Sequence, residues 1–400
     1  MTSTKQTSRL GSPPFILLLA LAAASCAEDS GVSSDPGDEP PIRAEVLASL
    51  GERVVVPAQL TFATRAASLE AALASAAAGG SRAEAQEAWR AAVDSWQWLE
   101  MMQVGPAGSS LNVMGGQDLR ARIYTWPTLD TCLIDQTTVG DEFDDPDVLD
   151  ASPGTPRGLG AIEYLLFNDD PENTCTAFRP IEPAGIWETL SAEIPGRRLA
   201  YAAALATLVR RSADDLVEAW APEGADFISE LTDPRRGGAV YGSAQEGLNA
   251  ISDAMFYLDK EAKDMKLAEP AGITGCAQAR CPDAIESRWA FQSKEHLLTN
   301  LRAFQALFLG ATPGTDAPGF DDLLDDMGSS AVTSEMTEAI ASALTALEAI
   351  PGALSEAIET DPQAVEDAHE AVRVVTDILK TNFIGDLDLE APDRAAGDND

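Results

Sequence analysis

The sequence predicts an all-α protein built as two helical-bundle lobes. Three observations carry this. Apolar residues recur every three or four positions through each long segment, which is the spacing of one helix face. No convincing strand run lies between those segments. The long helices fall into two groups of about four, on either side of the loop-rich stretch Pro222 to Gly238. Composition agrees: 45 % of the residues are hydrophobic, ample for a core, while only 6 % are aromatic and alanine is abundant, which favours closely packed helices.

The chain opens with a targeting segment. Lys5 and Arg9 precede an apolar run, Phe15 to Ala24, too short to span a membrane as a mature helix. Ala23-Ala24-Ser25-Cys26 resembles a bacterial lipobox, in which Cys26 is lipidated after cleavage; an ordinary secretory peptide cut nearby is the other reading. The expected division is a lipoprotein signal peptide at 1–25, a flexible tether at 26–41, an N-terminal lobe at 42–221, a C-terminal lobe at 239–388 and an acidic tail at 389–400. The expected location is the cell envelope, lipid-anchored at the outer membrane and facing the periplasm or the surface.

Helical spacing begins with Val46, Leu47, Leu50, Val54 and Val55, with a kink or break expected at Pro57. Leu60 to Ala78 continues it and Gly79-Gly80 ends it. Ser81 and Glu84 form a capping box. Behind them Trp89, Val93, Trp96 and Leu99 make one stripe, read as core packing. Gly105-Pro106 ends that helix. A short helix is expected around Asp118 to Tyr124, before Trp126-Pro127. Asp141 to Asp150 is an acidic loop without EF-hand spacing.

Thr155-Pro156 then provides an N-cap and a first-turn proline. Gly158-Leu159-Gly160-Ala161-Ile162-Glu163-Tyr164-Leu165-Leu166-Phe167 follows, a helix apolar nearly all round and therefore buried. Further helices are expected at Arg197 to Trp220, Val240 to Leu267, Ser293 to Phe308, Met336 to Ile350 and Gln363 to Ile384. From Asp386 the chain reads as an acidic, partly disordered tail.

The net charge of −38 argues against nucleic acid and against an electrostatic hold on anionic lipid. Without Cys26, four cysteines remain. An even number in an exported chain reads as disulfides, and the expected pairs are Cys132–Cys175 and Cys276–Cys281; a zinc site is the alternative, with spacings that are not CxxC. The two histidines, His296 and His369, sit in no HExxH arrangement and read as helix-surface residues. GxSxG, P-loop and Rossmann glycine patterns are all missing from the sequence.

Glu163 is the residue that does not fit. A lone carboxylate among Leu159, Ile162 and Leu166 must be paired, protonated or metal-bound. Two readings stand: a structural acid paired with an arginine, Arg122 being the candidate, or a surviving ligand or recognition carboxylate. Gly158 and Gly160 read as close-packing positions, with Gly160 also vacating the volume of a side chain.

These residues carry a resemblance. Gly158 to Phe167 resembles the signature segment of the imelysin family of bacterial exported proteins, GxHxxE followed by an apolar run. Ala88-Trp89 to Trp96, Val104-Gly105-Pro106, Arg122 to Pro127 with Trp126, and Leu258 to Glu261 resemble other family segments in the same order, over roughly Ile42 to Asp388. The family is all-helical, with the motif near the junction of two lobes. The resemblance implies a protein of the kind described as peptidases, or tied to iron uptake or metal binding, often as lipoproteins. The motif histidine falls on Gly160. In GxHxxE the histidine and glutamate share a helix face and reach one metal; here Glu163 remains alone, with His296 the candidate to complete a site. The expectation is a membrane-anchored, non-catalytic protein binding a ligand, or a divalent metal or iron, linked to iron uptake and partnered by an uptake receptor or another envelope protein. The alternatives are a metallopeptidase with a reorganised site and a structural surface lipoprotein.

Overall fold

A computed structural model describes residues 41–392, apart from 142, 144, 152–156, 234–239 and 313. The signal peptide with Cys26, the tether up to residue 40, the Thr155-Pro156 cap, part of the acidic loop, part of the 222–238 connection and the tail beyond 392 lie outside the described residues.

The protein is all-α, with two helical-bundle groups and no strand among the described residues. In the first half, α1 (Val56–Ala77) packs against α2 (Arg82–Glu100) and α4 (Ile194–Trp220), and α3 (Gly158–Phe167) lies on α4 and α2. In the second half, α5 (Ala244–Met255) leads into a π-helical segment, Leu258–Ala268. That segment contacts α6 (Ser293–Phe308) and α8 (Pro362–Ile378), while α7 (Ser330–Ala349) packs along α8. Contact between α2 and α6 joins the halves, and one continuous apolar core runs through both.

Local sequence explains these elements. The Ser81 hydroxyl accepts from the Glu84 backbone N–H and starts α2. Trp89, Val93 and Trp96 are at most 1 % exposed, so the stripe is core. At Pro57 the expected break does not occur. Helix runs unbroken from Pro41 to Ala77, and the turn before Pro57, Leu50–Val55, widens to π pitch, with the Val56 N–H bonded to the Gly51 carbonyl. The two long helices expected at Val240 to Leu267 and Gln363 to Ile384 each change pitch to π, at Leu258–Ala268 and Leu379–Phe383. The tail is also shorter than expected. Leu387 and Leu389 are buried, and the Arg43 guanidinium donates to the Leu387 carbonyl.

Both cysteine pairs are disulfides, Cys132–Cys175 and Cys276–Cys281. No helix among the described residues is long and apolar enough to cross a membrane.

Candidate functional site

The helix α3 begins at Gly158 because only glycine suits that position. Its φ is +76°, and a Cβ there would lie 2.5 Å from the Ile123 carbonyl oxygen. Gly158 is thus a close-packing glycine, as expected. Gly160, two residues on, is not. A Cβ at 160 would make ordinary contacts of 3.8–3.9 Å with Tyr124 and Leu129, so no crowding demands a glycine there. Gly160 instead lines a pocket of 320 Å³ together with Glu163, Tyr124, Trp126, Leu129, Met265, Glu269 and the 283–289 loop. Both halves of the chain build it.

Glu163 is 2 % exposed. Its Oε1 accepts three hydrogen bonds, from the Ser287 hydroxyl at 2.9 Å, the Trp289 N–H at 3.1 Å and the Ala290 N–H at 3.0 Å. Its Oε2 accepts none from the described residues and is the oxygen left for the pocket. Arg122 is not its partner. That guanidinium pairs with Asp150 at 3.3 Å and Asp215 at 3.4 Å. With neutral donors and no cation, burial pushes the Glu163 carboxyl up to about 7; the three hydrogen bonds oppose the rise and the nearby Glu286 adds to it. Of the three possibilities for a buried acid, the retained proton thus applies up to about neutral pH.

Glu286 is a lining residue that the sequence reading missed. It is fully buried and has the opposite fate. Its Oε1 lies 3.0 Å from Lys266 Nζ and accepts from the Tyr124 hydroxyl at 2.8 Å and from Gln97 Nε2 at 3.0 Å. Its Oε2 lies 2.9 Å from His296 Nδ1. Burial alone would raise this carboxyl, but Lys266, His296 and Tyr124 together hold it well below the usual carboxylate range. Lys266 is itself unexposed and also donates to Gln97 Oε1 and Asn300 Oδ1 at 2.6 and 3.0 Å. Its ammonium lies 5.5 Å from the Trp126 ring centroid, so Trp126 is both pocket wall and cation neighbour.

His296 differs from its expected surface position. It is 1 % exposed, engages Glu286 rather than Glu163, and is not a pocket-lining residue. Its Nε2 is buried without a hydrogen bond among the described residues. His369 is half-buried on α8. On the far side of Glu163, Tyr164 donates to Asp135, whose carboxylate also accepts from Thr174 N and Oγ1 at 2.8 and 2.9 Å. This further buried acid, Asp135, pins the loop between α3 and α4.

The donors do not assemble a metal site. No cluster of three His, Cys, Asp or Glu among the described residues could hold an ion. Glu163 offers one free oxygen, Glu286 spends both of its own, and the His296 nitrogen nearest the carboxylates is committed to Glu286. The partners of Glu163 lay beyond sequence reasoning. Two of the three are backbone N–H groups, which any residue supplies.

Residues 59–381 match the imelysin family, the M75 peptidases. Among solved structures, the chain is similar to a protein provisionally described as an iron-regulated protein A precursor from Parabacteroides distasonis, with a TM-score of 0.66 and 19 % identity over 86 % of this chain and 95 % of that one. It is also similar to an imelysin-like protein from Psychrobacter arcticum 273-4, with a TM-score of 0.67 and 16 % identity over 88 % of this chain and 96 % of that one. No curated protein matches it. At these identities the two structures speak for the fold.

Proposed function

The chain belongs to the imelysin family, and on that premise we propose that it is a lipid-anchored envelope protein that binds a small ligand in the pocket over Glu163, hydrolyses no peptide, and serves a role connected with iron. One observation carries the reading. A buried carboxylate, fixed by three donors on one oxygen, turns an unbonded oxygen to a 320 Å³ pocket walled by Tyr124, Trp126 and Trp289. A concave pocket that sets aromatic walls beside a few fixed polar groups has the makings of a small-molecule site.

The non-catalytic half of the reading is supported by the donor set. A zinc hydrolase needs about three protein ligands and an activated water. Here Gly160 leaves Glu163 alone on its helix face, and His296 and Lys266 are spent on Glu286. The iron connection is supported by family membership and by the neighbour described as iron-regulated. Lipid anchoring rests on Ala23-Ala24-Ser25-Cys26.

The full chain, purified in detergent and incubated with a mixed peptide library with and without Zn²⁺ or Fe²⁺, is expected to cleave nothing. Metal-dependent cleavage that disappears in Glu163→Gln would overturn the proposal in favour of a reorganised metallopeptidase. The transcript is expected to rise when iron is chelated, and a flat response breaks the iron connection. Cys26→Ser is expected to release the protein from the membrane fraction; retention there refutes the anchor.

A further inference from the structure

We propose that the pocket over Glu163 takes a small organic cation, a molecule whose protonated amino group directs its N–H bonds to Glu163 Oε2 and Glu269. The inference rests on the ligand-binding reading and names the class of ligand.

The charges of the lining lead there. Five carboxyl or guanidinium side chains line the pocket: Glu163, Glu269, Asp283, Glu286 and Arg288. Asp283 and Arg288 pair with each other at 3.0 Å, at the exposed rim. Glu286 is paired with Lys266 and held by His296. Glu163 and Glu269 are left, and neither has a cationic partner among the described residues. The unbalanced charge of the lining is therefore negative. An anionic ligand would meet repulsion from Glu269, whereas a cation supplies the partner that Glu269 and the ionised form of Glu163 both lack among the described residues.

Chemistry and size narrow the cation. A bare divalent metal needs several inner-shell donors, and the described residues supply no such cluster. The 320 Å³ volume suits a ligand of several heavy atoms instead. Tyr124, Trp126 and Trp289 give that ligand aromatic walls, which attract organic cations while accepting their apolar portions. In the ionised form Glu163 Oε2 is a hydrogen-bond acceptor whose direction is fixed by the three bonds on Oε1, so it selects an N–H-bearing ammonium over a quaternary one. The pocket passes Gly160, where a Cβ would make only ordinary contacts, and such a group can reach that oxygen there.

The test uses butylammonium, butanol and butyrate, which share a chain and differ in charge. Saturation-transfer NMR with the full chain in detergent is expected to detect butylammonium alone. Glu163→Gln keeps an acceptor for the three donors but removes the charge, and is expected to weaken binding about tenfold. Glu269→Gln, at a half-buried position that no ion pair holds, is expected to weaken it several-fold. Butylammonium binding equal in wild type and both variants overturns the proposal. If butyrate or butanol binds as well as butylammonium, and Gly160→Trp abolishes that binding, the cation class is wrong while the pocket remains a ligand site. If none of the three binds, both readings fall.

Discussion

Replacing Glu163 by glutamine should stabilise the protein, and by an amount that depends on pH in a defined way. The carboxyl sits at about 7 in the folded chain against an ordinary 4.5. Folded protein therefore holds this proton over a range where the unfolded chain has released it. The favourable contribution is complete below about pH 4.5, falls as pH rises, and is gone above about pH 7. A difference of about 2.5 units at 1.36 kcal/mol each gives ~3 kcal/mol. Glutamine never ionises, and its carbonyl oxygen can still accept from Ser287, Trp289 and Ala290. The variant should match wild type within about 1 kcal/mol near pH 4.5 and exceed it by ~3 kcal/mol at pH 8. For a chain of this length that is a Tm gain of about 4 °C. Glu286 has its own acid-side dependence of opposite sign, but it is present in both proteins and largely cancels in the difference. Thermal unfolding followed by circular dichroism across pH 4.5 to 8 measures it. An offset that does not change with pH, or a variant less stable at pH 8, would refute the claim that burial without a cation governs this carboxyl.

Three other perturbations separate the parts of the site. Gly160→His places an imidazole one helical turn from Glu163 on the pocket wall, where a Cβ meets no crowding, and should create stoichiometric Zn²⁺ binding by calorimetry that Glu163→Gln removes; no binding would mean that the site differs from a metal centre by more than one residue. Gly158→Ala meets the Ile123 carbonyl at a positive φ and should cost about 2–3 kcal/mol in urea unfolding, whereas a neutral result would show that the start of α3 is pliable. Lys266→Met leaves Glu286 buried without its cation and should cost about 3–5 kcal/mol, much of it recovered in the double variant with Glu286→Gln. Additive costs in that cycle would deny the pair.

Sequence periodicity reached most helices because each buries a stripe repeating near 3.6 residues. It could not reach the π-helical segments, since no residue type or short spacing in Leu258–Ala268 marks the change from i→i−4 to i→i−5 bonding. The cysteine pairs were legible from number and spacing. Glu163 was legible as a misfit, because a carboxylate in an apolar helix is conspicuous. Its resolution was not. Ser287, Trp289 and Ala290 lie more than 120 residues away, with separations of 124, 126 and 127. His296 was misread because Lys294 and Glu295 beside it look like a solvated surface, while the buried acid it meets, Glu286, sits in a loop that showed no periodicity.

Two buried carboxylates in one pocket wall have been driven to opposite states, and the distribution of cations decides which is which. Lys266 goes to Glu286, with His296 Nδ1 on that acid's other oxygen, so Glu286 stays ionised and its charge is spent inside the protein. Glu163 receives only neutral donors and feels Glu286 as a like charge, so it holds its proton until about pH 7. Separating two acids in this way is how a site gains one fixed charge and one adjustable group. Were the purpose of Glu163 only to hold α3 against the 287–290 backbone, a neutral glutamine would do so without the desolvation cost of a carboxylate. An ionisable group at this position, with one oxygen locked and the other open to the pocket, is explained by a positively charged ligand that draws out the carboxylate form.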